Sequence, residues 1–230
     1  MITEQISSLK NIARTTGILM LIMTVLAAFG MMYVPTTLTV AGDATATANN
    51  VLASAGLLRA GIVANALVFL IEIVLCALLY ELLAPVNKTL SLVAAFARLA
   101  MTAVQGVNVI NLLFVLLLTS GAGFLAAFEP AQLHAQVLLL FQVYGVVALV
   151  WGLFFGLHLV FSGYLVFKSG YIARFVGILL LVVALGYFTQ SFGSILLPQY
   201  TQTFSTIGML SIIEIVFPLW LLVAGVKPRQ

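Results

Sequence analysis

Six side chains in this 230-residue sequence have chemistry beyond packing: Glu72, Arg98, His158, Glu214, Asn65 and Gln105. A carboxyl takes up a proton or holds a cation. A guanidinium serves as its counter-ion or contacts an anion, and an imidazole switches between donor and acceptor. Spacing groups them. Asn65 stands seven residues before Glu72 and shares its helical face. Thr102 and Gln105 share a face with Arg98, with Asn108 at its edge and Asn111 further round. Trp151, Phe155, His158 and Ser162 form one face, and Gly152 and Gly156 are spaced to admit a neighbouring helix closely.

Most familiar site chemistry is missing. No HExxH zinc-protease motif occurs, and Phe161-Ser162-Gly163 lacks the GxSxG context of a serine hydrolase. His134 and His158 lie on one helical run, about 36 Å apart by axial rise, too far for bis-histidine haem. Every Lys stands at the boundary of an apolar run, which removes a retinal-type Schiff base, and no Walker loop or dinucleotide glycine fingerprint is found. One cysteine permits neither an internal disulfide nor a thiolate zinc site. No catalytic residue, metal or cofactor is therefore expected.

The elements that must position these groups follow from composition. Hydrophobic residues make up 63% of the chain and charged ones 7%, with a mean hydropathy of +1.25. A soluble domain spends about a quarter of its residues on charge, so an aqueous enzyme is excluded. The few basic residues form no cluster able to track phosphates, so nucleic acid is excluded as a partner. A helix needs about 20 apolar residues to cross the hydrocarbon layer. Runs over about 14–34, 58–84, 90–119, 136–167, 174–197 and 204–226 qualify. They are long and unbroken, unlike the short alternating segments of a membrane barrel. The expectation is an all-α, polytopic membrane protein: one six-helix transmembrane domain over residues 1–230. Its first span should be an uncleaved helix, because the small residues Ala44-Thr45-Ala46 lie well beyond the run.

Lys10, Arg14, Lys88, Lys168, Arg174, Lys227 and Arg229 flank one set of span ends, and Arg59 with Asp43 and Glu129 the other. Positive-inside bias then puts both termini in the cytoplasm of a cell whose inner (plasma) membrane holds the protein.

The chain also resembles itself. Ile12-Ala13-Arg14 and Gly17-Ile18-Leu19 recur as Ile172-Ala173-Arg174 and Gly177-Ile178-Leu179, and Ile71-Glu72-Ile73-Val74 recurs as Ile213-Glu214-Ile215-Val216. Spans 1–2 and 5–6 read as one hairpin used twice. Glu72 lies thirteen residues before Pro85, Glu214 thirteen before Lys227 and His158 ten before Lys168. All three then stand at one depth, about 15–20 Å from the inner boundary. Arg98 is either their counter-ion or an interfacial residue matched to Arg14 and Arg174. Pro218, four residues after Glu214, should interrupt the last helix beside that carboxyl.

Three stretches carry a family resemblance: Ala41-Gly42-Asp43-Ala44-Thr45-Ala46-Thr47-Ala48-Asn49; Leu83-Ala84-Pro85-Val86-Asn87-Lys88; and Gly156-Leu157-His158 through Gly163-Tyr164-Leu165 to Lys168-Ser169-Gly170-Tyr171-Ile172. The sequence resembles a prokaryotic integral-membrane family known as domain of unknown function 4386, from the first span to the C-terminus. The resemblance implies topology and no mechanism. Asp43 and His158 fall inside the matching stretches.

The first reading is a non-enzymatic membrane protein with a polar pocket, formed by Glu72, Arg98, His158, Glu214, Asn65 and Gln105, that binds and moves a small molecule or proton. The second is a membrane enzyme acting on a lipid-like substrate, with His158 and one Glu as acid and base. The third is an accessory subunit whose buried polar groups only specify packing. Membrane lipids, with a small-molecule or lipid ligand, are the expected partners.

Overall fold

The computed structural model describes residues 2–226, so Lys227 and Arg229 of the topology argument lie outside the described residues. Among these the chain is helical without strands, and six stretches are long and apolar enough to cross a membrane: Ser8–Leu38, Ala55–Leu83, Lys88–Leu118, Pro130–Ser169, Arg174–Leu196 and Pro198–Val223. The elements are α1 (Ile2–Ala27), α2 (Val34–Leu38), α3 (Ala44–Ala53), α4 (Ala55–Leu83), α5 (Lys88–Leu118), α6 (Pro130–Ser169), α7 (Arg174–Leu196), α8 (Thr201–Gly208) and α9 (Val216–Val223).

Local chemistry sets the breaks. Asp43 accepts from the Ala46 amide at 2.8 Å and starts α3 as its N-cap. The Asn87 side chain accepts from Leu90 N at 3.0 Å and does the same for α5. Gly170, at φ +72°, ends α6 in a left-handed turn that a side chain would strain.

Two departures from the sequence expectation have physical causes. The first span does not stop at Pro35. It runs on to Leu38 through a π-helical turn, Ala28–Tyr33, whose wider register precedes the residue lacking an amide proton. The last span tightens into a 3₁₀ segment, Met209–Ile215, and Pro218, which lacks an amide proton, sits in the first turn of the α9 that follows it. The expected interruption beside Glu214 is thus a change of helix type. At 40 residues α6 is about 60 Å long, so it tilts or projects beyond the hydrocarbon layer.

The described residues fall into two compact units. One lies within Met1–Met23, Ile71–Thr102 and Leu149–Gln230, and the other within Thr24–Leu70 and Ala103–Ala148. Each has its own apolar core. The first centres on Leu75, Leu82, Met101, Leu165, Leu180 and Leu221, and the second on Val34, Leu58, Leu112, Val115 and Phe141.

Glycines let helices of the first unit touch along their backbones. A Cβ on Gly177 would stand 2.6 Å from both the Gly163 carbonyl oxygen and the Phe167 amide nitrogen. On Gly152 it would stand 2.7 Å from Ser191 Oγ, as the Gly152/Gly156 spacing anticipates. Gly177→Ala should therefore cost about 1–3 kcal/mol through overpacking. Gly145→Ala, whose Cβ would meet nothing within 4 Å, should stay within about 0.5 kcal/mol. Thermal midpoints of the two variants in detergent, against the parent, check the contrast.

Candidate functional site

In the first unit, Glu72 on α4, Arg98 on α5 and His158 on α6 meet. The α4–α5 turn sets the height of the first pair: Ser91 Oγ bonds the Tyr80 carbonyl at 2.9 Å. Glu72 is eight residues before Tyr80 and Arg98 seven after Ser91, so both climb to one level. Arg98 is therefore internal. Its side chain is 1% exposed, and the interfacial alternative falls away.

The contact is a fork. Arg98 Nε donates to Glu72 Oε2 at 2.6 Å and Nη2 donates to Oε1 at 3.1 Å, the bidentate geometry in which guanidinium and carboxylate attract most strongly. Nη2 also points at the Met23 sulfur, 3.8 Å away. Nη1 lies 3.1 Å from His158 Nε2, while His158 Nδ1 lies 2.9 Å from the Ala94 carbonyl oxygen. A carbonyl only accepts and a guanidinium only donates. Hence Nδ1 carries the imidazole proton, Nε2 offers its lone pair, and the ring is neutral. Ser162 Oγ approaches the same Nε2 at 3.4 Å. Phe155 stacks on the His158 ring at 5.9 Å between centroids, and its face also lies 5.9 Å from the Arg98 guanidinium carbon. The face read from Trp151, Phe155, His158 and Ser162 is real, and it wraps the ion pair. Both ring nitrogens of His158 are occupied, neither by a carboxyl.

Glu214 belongs to the same unit but not to this fork. Phe204 packs on Gly193 and Gln190 on Gly208, so α7 and the last span run together ahead of Glu214. Gly163 packs against Gly177 and Gly156 against Phe188, so α6 and α7 run together past His158. Glu214 lies within electrostatic range of Arg98, Glu72 and Tyr187, which puts it in one polar layer with the fork. Its Oε2 is buried without a hydrogen-bond partner.

Asn65 and Gln105 meet in the second unit. Gln105 Nε2 donates to the Tyr144 hydroxyl at 3.0 Å and to Asn65 Oδ1 at 3.4 Å, and the Tyr144 hydroxyl donates to Asn65 Oδ1 at 3.3 Å. Asn65 Nδ2 donates to the Gly61 carbonyl at 2.9 Å. Asn108 Nδ2 bonds the Tyr144 carbonyl at 2.9 Å and Gln105 Oε1 at 3.3 Å, and Asn111 Nδ2 donates to Asn108 Oδ1 at 3.0 Å. This is a neutral amide ladder with its donors turned on its own acceptors. Sequence reasoning missed its hub, Tyr144, although the spacing 144, 151, 155, 158 places it on the face already recognised.

A bundle of apolar helices with a buried, charge-balanced fork defines a multi-pass membrane protein. The chain belongs to the family described as Domain of unknown function (DUF4386), which matches residues 15–225. It is also similar to an uncharacterised protein of Archaeoglobus fulgidus, 27% identical over 162 residues that cover 70% of this chain and 81% of that protein. No solved structure matches the chain.

Removing half of a buried pair leaves a lone charge, which costs about 3–5 kcal/mol, whereas replacing both partners by apolar residues is nearly neutral. Arg98→Met should accordingly unfold at much lower denaturant or temperature, and Glu72→Leu/Arg98→Met should recover most of that loss. Unfolding curves of the single and double variants in mixed micelles decide it.

Proposed function

We propose that this membrane protein binds and exchanges a proton at Glu214, with Glu72, Arg98 and His158 as the fixed electrostatic base beside it. The carrying observation is the buried Glu214 Oε2 with no hydrogen-bond partner. A carboxylate inside a bilayer without a donor is costly, at least about 2.5 kcal/mol on insertion scales. Such a group holds either a proton or a cation. Glu72 is different: both its oxygens are taken by Arg98, so it is a counter-ion and not the exchanging group. In this reading His158, saturated by Arg98 and Ala94, orients the guanidinium, and the Asn65–Gln105 ladder is interhelical glue in its own unit.

On the same reading both termini face the cytoplasm. Support comes from charge distribution along the chain: Lys10, Arg14, Lys88, Lys168 and Arg174 flank one set of span ends, and Arg59, Asp43 and Glu129 the other.

Two outcomes are expected. Infrared difference spectra across a pH step should contain a protonated-carboxyl C=O band that vanishes in Glu214→Gln and survives in Glu72→Gln. Absence of the band from the parent protein, or its persistence in Glu214→Gln, refutes the exchange at Glu214. In a Cys76→Ala background, an impermeant maleimide added to intact cells should label Glu129→Cys and spare Lys88→Cys. The reverse pattern would invert the topology.

A further inference from the structure

The polar layer of the first unit has a charge deficit that only one further cation removes. When Glu214 is ionised, the two carboxylates face one guanidinium, and the His158 ring is neutral because it donates to Ala94 and accepts from Arg98. Arg98 is already committed to Glu72 through both arms of the fork. The layer is short by a single positive charge, and the short side is Glu214 Oε2.

The surroundings restrict what that cation is. A small hard metal ion needs several oxygen ligands, and the described residues contain no group of three or more His, Cys, Asp or Glu that could hold one. Aromatic rings are present instead. Tyr187 of α7 presents its edge to Phe155 at 5.0 Å and to Trp151 at 5.7 Å, and Trp151 and Phe155 stand 5.0 Å apart. Tyr187 belongs to the stretch of α7 that packs on the last span, where Gln190 meets Gly208 and Gly193 meets Phe204, and it lies within electrostatic range of Glu214. Trp151 and Tyr187 are only half-buried, whereas Phe155 is buried. A carboxylate near half-buried aromatic rings suits organic cations of delocalised charge, because the rings attract the cation while tolerating its apolar coat.

We propose that the proton on Glu214 is exchanged for a monovalent lipophilic organic cation, held by the Glu214 carboxylate and the half-buried rings of Tyr187 and Trp151. The proposal rests on the proton-exchange reading of Glu214 and adds the class of its competitor. One cation binds, one proton leaves Glu214, and the layer stays neutral. The groups that tune the exchange are Arg98 from α5, Glu72 from α4 and Tyr187 from α7. The 3₁₀ segment Met209–Ile215, which carries Glu214, is the part of the last span that must shift to admit a bulky guest, since mid-helix 3₁₀ turns are common hinges.

The experiment titrates the full-length protein in detergent with tetraphenylphosphonium. It follows the fluorescence of Trp151 and Trp220 and the protons released into weak buffer. Saturable binding, one proton released per cation and affinity that falls as pH is lowered are expected. Tyr187→Leu should weaken binding about 3- to 30-fold, the worth of one cation–π contact, and Glu214→Gln should abolish the proton release. If the parent shows the Glu214 infrared band but no saturable tetraphenylphosphonium binding, or binding without proton release, the cation proposal is overturned and the proton reading stands. If the band itself is missing, both fall. The parent measurements need no variant to fold.

Discussion

One guanidinium among two carboxyls is the constraint on which this protein's interior depends. Arg98 is the buried cation among the described residues of the first unit, and it meets Glu72 in a fork with both Nε and Nη2. That fork satisfies the oxygens of one carboxylate. It also spends the donors a second carboxylate would need, since Nη1 is aimed at His158 and Nη2 at Met23 as well. The two glutamates therefore have unlike surroundings although they stand in one layer. Glu72 has both oxygens bonded by Arg98, and Glu214 Oε2 is buried without a donor.

Histidine completes that sorting. An imidazole beside a guanidinium is a poor place for a second positive charge, and the Ala94 carbonyl holds the Nδ1 proton in place. The lone pair on Nε2 gives Arg98 a third acceptor without adding charge to the layer. Phe155, stacked on the imidazole and lying over the guanidinium carbon, closes the group off while supplying a polarisable face. The geometry fits a rigid base better than a moving acid–base pair, which is why the proton chemistry is assigned to Glu214 and not to His158.

Much of this was legible in the sequence. Apolar run lengths gave the six spans, counting residues from Pro85 and Lys168 put Glu72 and His158 at the one level where both meet Arg98, and the 151–162 face was readable from spacing alone. The count for Glu214 ran to Lys227, outside the described residues. Three things were not legible, each for a physical reason. Arg98 had two allowed depths because its long side chain can reach inward or outward, and only the bond from Ser91 to Tyr80 fixes the hairpin's height. Tyr144 carried no signal of its own, because a hydroxyl's value depends on whether amides stand across from it. The partition of the amide ladder and the ion pair between two compact units depends on tertiary contacts that no single-helix pattern encodes.

The repeat explains why the two carboxyls part ways. Ile71-Glu72-Ile73-Val74 and Ile213-Glu214-Ile215-Val216 match, but four residues after the glutamate the first copy has Cys76 and the second Pro218. Cysteine lets α4 continue as a regular helix past Glu72. Proline removes an amide and crowds the preceding turn, and the segment ahead of it, Met209–Ile215, takes the tighter 3₁₀ winding. Three residues per turn instead of 3.6 adds about 20° of rotation per residue, so the six residues from Met209 to Glu214 turn the glutamate by about 120° relative to an unbroken α-helix. A helical wheel drawn through the last span would thus aim Glu214 at the wrong neighbours. The same winding that separates it from the bidentate fork leaves its Oε2 buried and unbonded. One difference within a repeated motif thus accompanies the contrast between a glutamate with both oxygens bonded and one with an oxygen left without a donor.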